Sequence, residues 1–204
     1  MTDVVVIEGD PFSRLAVEVP DGWRSGEVAG ADAVLWDPRC SSAFRTNVVL
    51  SCDSVDGSCD LAGVATHARL HLQAGYDSVD VRGERSVHLG DAPAIVRLAL
   101  FDMGARAIRL AQLQVLADGG IQSRGENRIV FQIVATCRLD DMRMYGDLFT
   151  QIVASANVRI AKPVSPLTGN ACVVQGEPEG KAPALPSAGF APLGWANPHQ
   201  RARR

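Results

Sequence analysis

The stretch Ala92-Pro-Ala-Ile-Val-Arg-Leu-Ala-Leu-Phe101, with residues 105–116 and 128–138 after it, decides the fold. Each segment has strand length and is rich in apolar and β-branched residues. The links between them, Asp102-Met-Gly104 and residues 117–127 with three glycines, consist of turn formers. Short links between consecutive strands favour antiparallel pairing, so the stretch reads as a meander. It is not uniformly apolar. Arg97 falls among Ile95, Ala99 and Phe101, and Gln112 and Gln114 share a side with Ile108 and Leu110. Gln132 and Arg138 share a side with Val130 and Val134. One sheet face is therefore expected to be half polar and to meet solvent or a partner, which argues against helices on both faces.

Two amphipathic segments flank the meander. Residues 58–74 read as a helix, with Asp60 or Ser58 as N-cap and Gly75 at the C′ position. Leu61, Val64, Ala65, Ala68 and Leu72 form its apolar stripe. A second helix opens at Asp140-Asp141 and runs to about residue 155, with Met144, Tyr145, Leu148, Phe149 and Ile152 as its stripe. Leu61, Leu72, Leu148 and Ile152 are expected in the core. Residues 44–51 and 76–88 read as strands. Residues 4–7, 15–19 and 158–160 are shorter β-prone runs, residues 26–30 read as loop, and 32–38 fits a strand or a helical turn equally. The expected architecture is an α/β (α+β) domain over residues 1–161. It has an antiparallel sheet of five to six strands with two main helices packed on it.

The last 43 residues differ in texture. Seven of the 11 prolines lie in 162–204, without a long periodic run. This is a Pro/Gly-rich tail whose two aromatic spots are Phe190 and Trp195. Residues 1–161 carry 21 acidic and 15 basic side chains, and the tail carries two and five. An acidic body gives no field for nucleic acid, so no nucleic-acid partner is expected. The apolar run at the N-terminus is four residues long and ends at Glu8, which is neither a signal peptide nor a membrane span. A cytoplasmic location without membrane insertion is expected, and free thiols for the five cysteines.

Candidate chemistry is sparse. His67 and His71 stand four apart on the first helix, a spacing that lets two imidazoles share a metal. The glutamate a metalloprotease needs after the first histidine is replaced by Ala68. Cys52 and Cys59 bracket a turn. Cys137 points the same way as Phe131, Ile133 and Ala135, as packing does. Cys40, in a loop beside Arg39, is expected to be the most reactive cysteine, but no histidine is adjacent in sequence. The glycine-containing loops lack phosphate-binding spacing. No catalytic set, metal or cofactor is expected.

The succession Val19-Pro-Asp-Gly-Trp23, Phe44-Arg-Thr-Asn-Val-Val49, a helix from Leu61, Gly90-Asp-Ala-Pro-Ala94, Gln112-Leu-Gln114 and a helix from Asp141 resembles the actinobacterial LpqN/LpqT family over residues 12–160. That family shares the PsbP-like α/β fold, found also in the Ran-binding Mog proteins. The resemblance implies a non-catalytic binding or accessory domain and transfers no catalytic residue. Some proteins of this shape are chaperones holding an apolar segment of a secreted or membrane client, which gives an alternative. A small enzyme or ligand carrier with a pocket between sheet and helices is the third. The expected function is an accessory or scaffold protein binding another protein. The expected interface comprises Arg97, Gln112, Gln114, Gln132 and Arg138 on the sheet, Leu70 opposite the helix's apolar stripe, and Phe190 and Trp195 in the tail.

Overall fold

A computed structural model describes residues 3–10, 12–40, 44–104, 108–122 and 127–161. Phe190, Trp195 and Cys172 lie outside them. The elements are β1 (Val4–Asp10), β2 (Ser13–Glu18), β3 (Arg24–Val28), β4 (Ala31–Trp36), β5 (Asn47–Asp56), α1 (Leu61–Gly75), β6 (Asp77–Leu89), β7 (Ala92–Met103), β8 (Ile108–Ile121), β9 (Asn127–Arg138), α2 (Met142–Ser155) and β10 (Asn157–Ile160).

The meander forms as its alternation predicts. β7, β8 and β9 pair antiparallel, with Ala94 opposite Ala117 and Leu110 opposite Arg138. They belong to a seven-stranded antiparallel sheet of order β3-β4-β5-β9-β8-β7-β6. Five or six strands were too few. Residues 26–30, read as loop, largely belong to β3, because Gly26 is a packing glycine. A Cβ there would stand 3.2 Å from Cη2 of Trp36, so the bare backbone lets the indole lie across the strand. Residues 32–38 resolve into β4. The short runs at 4–7, 15–19 and 158–160 form a separate three-stranded sheet, β1-β2-β10.

Both faces of the large sheet carry a helix, against the expectation from the polar row. Ile129, Phe131, Ile133, Ala135 and Cys137 of β9 face one way. There they meet Leu15, Val17 and Val158 of the small sheet and Tyr145, Phe149 and Ile152 of α2. Val130, between them, faces the other way with Leu116, against Val64 and Ala65 of α1. α1 starts where Asp60 Oδ1 accepts from the Gly63 N–H at 2.7 Å. It closes where the Tyr76 N–H donates to the Leu72 carbonyl at 3.1 Å. A single 3-10 turn, Leu139–Asp141, leads into α2. Leu72 and Ile152 are buried, whereas Leu61 and Leu148 are half-buried. Leu61 sits in the first turn of α1, and Leu148 lines an open groove beside α2.

Two glycines make room for Ile129 and Phe131, Gly9 across the gap in the small sheet and Gly119 beside them in the large one. A Cβ at Gly9 of β1 would lie 2.8 Å from both Ile129 Cγ2 and Phe131 Cζ. At Gly119 of β8 it would lie 2.7 Å from Ile129 Cγ2 and 2.9 Å from Phe131 Cε2. Ile129 and Phe131 are buried and cannot swing away. Gly119→Ala is expected to lower stability by about 1–3 kcal/mol through overpacking. Gly75→Ala, with nothing within 4 Å, is expected to leave stability unchanged or slightly raised. Urea midpoints of the two variants check this.

Candidate interaction face

The polar row lies where strand alternation puts it, on the α1 side of the large sheet. It is not open. Arg97 is only 2% exposed. Its cross-strand neighbour is Gln114, whose Oε1 accepts from Arg97 Nε at 2.7 Å. Arg97 Nη1 donates to the Ala65 carbonyl of α1 at 2.7 Å. The Glu84 carboxylate, from the facing position of β6, stands 3.6 Å away. Alanine at position 65 lets the helix backbone come this close. Nη2 is buried with no hydrogen-bond partner. Desolvation pulls the guanidinium pKa down and Arg69 adds to that, while Glu84 opposes it.

The other members are bonded as well. Gln132 Nε2 donates to Asp53 Oδ2 at 2.6 Å, and Gln112 Nε2 to Thr136 Oγ1 at 3.4 Å. Arg138 Nη2 donates to Asp140 Oδ2 at 3.1 Å. Arg97, Gln114 and Gln132 are thus buried, which corrects their placement on a solvated face. For Arg97 the physical reason is α1, whose Ala65 carbonyl closes on it; Gln114 and Gln132 are buried with the bonds they make to Arg97 and Asp53. Gln112 and Arg138 remain partly exposed beyond the helix, and Leu70 is 55% exposed on its outer side. Asp53 is pushed up by desolvation, with Asp32 adding and the Gln132 bond opposing.

A second polar cluster went unread in the sequence. Tyr145 of α2 donates its hydroxyl to Asp37 Oδ2 at 3.0 Å across the domain. Asp37 is 3% exposed and also takes Arg39 Nε at 2.9 Å and Nη2 at 3.1 Å. The clue is Asp37-Pro-Arg39, where proline turns the chain so that the arginine folds back. The Arg39 bond, outweighing the cost of burial, holds Asp37 below its ordinary value; the Arg39 amide and Tyr145 bonds add to this. Tyr145 is pushed up to about 12 by burial and by the carboxylate it serves. Its ring lies edge-on to Trp23 and stacked on Phe149. Arg128 pairs with Asp118 and donates to the Cys59 carbonyl, tying the start of α1 to the β8–β9 hairpin.

None of these groups lines the groove beside α2. Cys137 packs into the core as its strand position implied, and burial foremost pushes its thiol up to about 12. Cys52 is likewise pushed up to about 12, by burial and then by Asp32, Asp53 and Asp10. The His67 and His71 rings sit 4.5 Å apart. Among the described residues no three potential ligands gather around a common point. The groove beside α2, lined by Glu18, Val19, Asp21, Leu148 and Ile152, encloses 220 Å³ and is open. Ordinary ligand sites run to roughly 300–1,000 Å³. Among the described residues no helix is long and apolar enough to cross a membrane.

Two titrations follow. Tyr145, its pKa raised in the fold, stabilises fully below its unfolded value of about 10, and that share is lost as pH rises toward about 12. Tyr145→Phe is expected to cost about 1–2 kcal/mol at neutral pH and to flatten this alkaline loss. Asp53 is raised too, so its ionised form weighs against the fold at neutral pH. Asp53→Asn is expected to hold or raise stability at pH 7, and to lose that advantage as pH falls below about 4. Denaturant midpoints across pH read both.

No protein-family model and no curated protein sequence matches this chain. Solved structures do. LpqN, involved in cell envelope biogenesis of Mycobacterium tuberculosis, is similar with a TM-score of 0.61 at 18% identity, over 78% of this chain and 91% of LpqN. Cyanobacterial PsbP from Synechocystis sp. PCC 6803 gives 0.52 at 13% identity, over 71% of this chain and 86% of PsbP. PA94, a protein of unknown function from Pseudomonas aeruginosa, gives 0.50 at 13% identity, over 80% and 99%. The expectation of a cytoplasmic location is corrected here: LpqN belongs to envelope biogenesis, and the first residues of this chain do not assign a compartment. At these identities the likeness is one of fold: an α/β domain with a large antiparallel sheet and two helices, resembling LpqN and PsbP.

Proposed function

We propose that this protein is a non-catalytic accessory protein that acts by binding another protein. The observation that carries the reading is the destination of its polar groups. Arg97, Gln114, Gln132, Asp53, Asp37 and Tyr145 bond to one another across strands and to helix backbone. Such groups hold the fold together and are not presented to a substrate. What they leave for function is surface: Gln112 and Arg138 at the uncovered part of the sheet, Leu70 on α1, and the aromatics Phe190 and Trp195 of a tail at 162–204 that follows one domain at 1–161. LpqN's part in cell envelope biogenesis makes envelope proteins the first partners to test.

The chaperone alternative wants a contiguous apolar groove. The exposed large apolar side chains among the described residues are Val4, Val6, Leu70, Ile121 and Met144, spread over β1, α1, β8 and α2. That scatter favours a scaffold. The pocket alternative has the open groove beside α2, which is small for a ligand site.

The test is capture of partners from the native cell by the full chain and by variants, read by mass spectrometry. Gln112→Ala with Arg138→Ala is expected to lose a specific partner while keeping the urea midpoint within about 0.5 kcal/mol of stability. Arg97→Ala is expected instead to lower stability by about 2–4 kcal/mol, because it empties a filled site beneath α1. Retention of every partner by the double variant, together with specific turnover or small-molecule binding, would sink the reading.

A further inference from the structure

The described residues contain sheet edges of unequal character. β6 ends the large sheet on one side, with bulges between Asp77 and Asp80 and between Arg82 and Glu84. It carries alternating charges along its length. β3 ends the other side, is five residues long, and is bulged between Gly26 and Val28. Short, bulged and charged strands are the usual means of keeping an edge from pairing with another chain. β1 has none of these over Val4-Val-Val-Ile7. It pairs with β2 in unbroken register from Val4 to Glu8 and bulges only beyond it. Among the described residues no strand pairs with its other side. Its outward side chains, Val4 and Val6, are 53% and 47% exposed, while Ile7 is buried in the core.

We propose that β1 is a strand-addition site, whose occupant is an extended, alternately apolar segment of a partner protein flanked by Lys or Arg. This deepens the interaction reading above and rests on it. The occupant follows from charge. Asp3, Glu8 and Asp10 flank or lie in the apolar run, and the body is acidic. A second copy fits poorly. Antiparallel pairing of two copies of this edge brings Asp3 and Glu8 of each acidic body to one ladder, with no cation in β1 of either copy to meet them. A basic-flanked strand turns the same two positions into favourable cross-strand pairs. Main-chain hydrogen bonds along β1 supply affinity, and apolar side chains beside Val4 and Val6 supply the contact that half-exposed valines lack.

The probe is the peptide Lys-Lys-Val-Thr-Val-Thr-Val-Lys-Lys added to the full chain, with amide hydrogen exchange as readout. At saturation, exchange at residues 4–8 is expected to slow at least about tenfold as free edge amides become bonded. The same peptide with Glu for Lys is expected to bind at least about tenfold more weakly. The variant Val4→Lys with Val6→Lys changes only exposed positions. It is expected to abolish the protection without moving the melting temperature by more than a few degrees. Protection confined to other residues, equal binding of the Glu peptide, or a β1-dependent dimer without peptide each overturns the proposal. The two readings fail separately. If the lysine variant keeps every captured partner while Gln112→Ala with Arg138→Ala loses one, strand addition is wrong and the interaction reading stands. If no variant changes capture and the peptide gives no protection, both are wrong.

Discussion

Phe131 and Ile129 lie between the two sheets, and bare backbone meets them from Gly9 of β1 across the gap and from Gly119 of β8 within their own sheet. The contact at Gly9 limits how near the small sheet can lie. It thereby fixes where Leu15 and Val17 enter the core, and with them the stretch of β2 from Ser13 to Ala16 that takes β10 as partner. α2 completes the same layer by setting Phe149 and Ile152 beside these residues. Packed interiors tolerate neither a void nor an extra methyl at such a point. The long central strand β9 can thus be buried on both faces, although antiparallel sheets commonly leave one face wet.

The polar row runs through the opposite layer by a different rule. A guanidinium removed from water needs its donors matched, and Arg97 finds a side-chain amide, a helix carbonyl and a nearby carboxylate. Its bond to Ala65 fixes α1 against the sheet in rotation and height, which a greasy contact alone specifies less sharply. Tyr145 and Asp37 do the same for α2, from the far end of the molecule. Each helix is therefore located by directed bonds as well as by its apolar stripe. These buried polar residues serve registration.

Much of this was legible in the sequence, and the misses have physical causes. Strand alternation placed the meander and the common side of Arg97, Gln112, Gln114, Gln132 and Arg138. The stripes of both helices were read, with Leu72 and Ile152 correctly inside. Alternation states which side a residue takes and not what covers that side. Arg97 therefore read as solvated until a helix carbonyl met it. Gly26 read as loop because glycine lowers strand propensity, and only the neighbouring Trp36 ring explains it. The Tyr145–Asp37 bond joins residues over a hundred positions apart, beyond any local pattern.

The small sheet has a consequence for the making of the protein. β2 stands between β1, its neighbour in sequence, and β10, so that Leu15 pairs with Val158. A chain emerging from the ribosome can close the β1–β2 hairpin at once and the large meander later. The second side of β2 stays unpaired until nearly the whole domain has been synthesised. Loop closure over such a span is slow, and an open strand beside exposed valines is a template for the wrong neighbour. Synthesis thus passes through a window in which nascent chains of this protein can pair with each other, and it ends only when β10 docks.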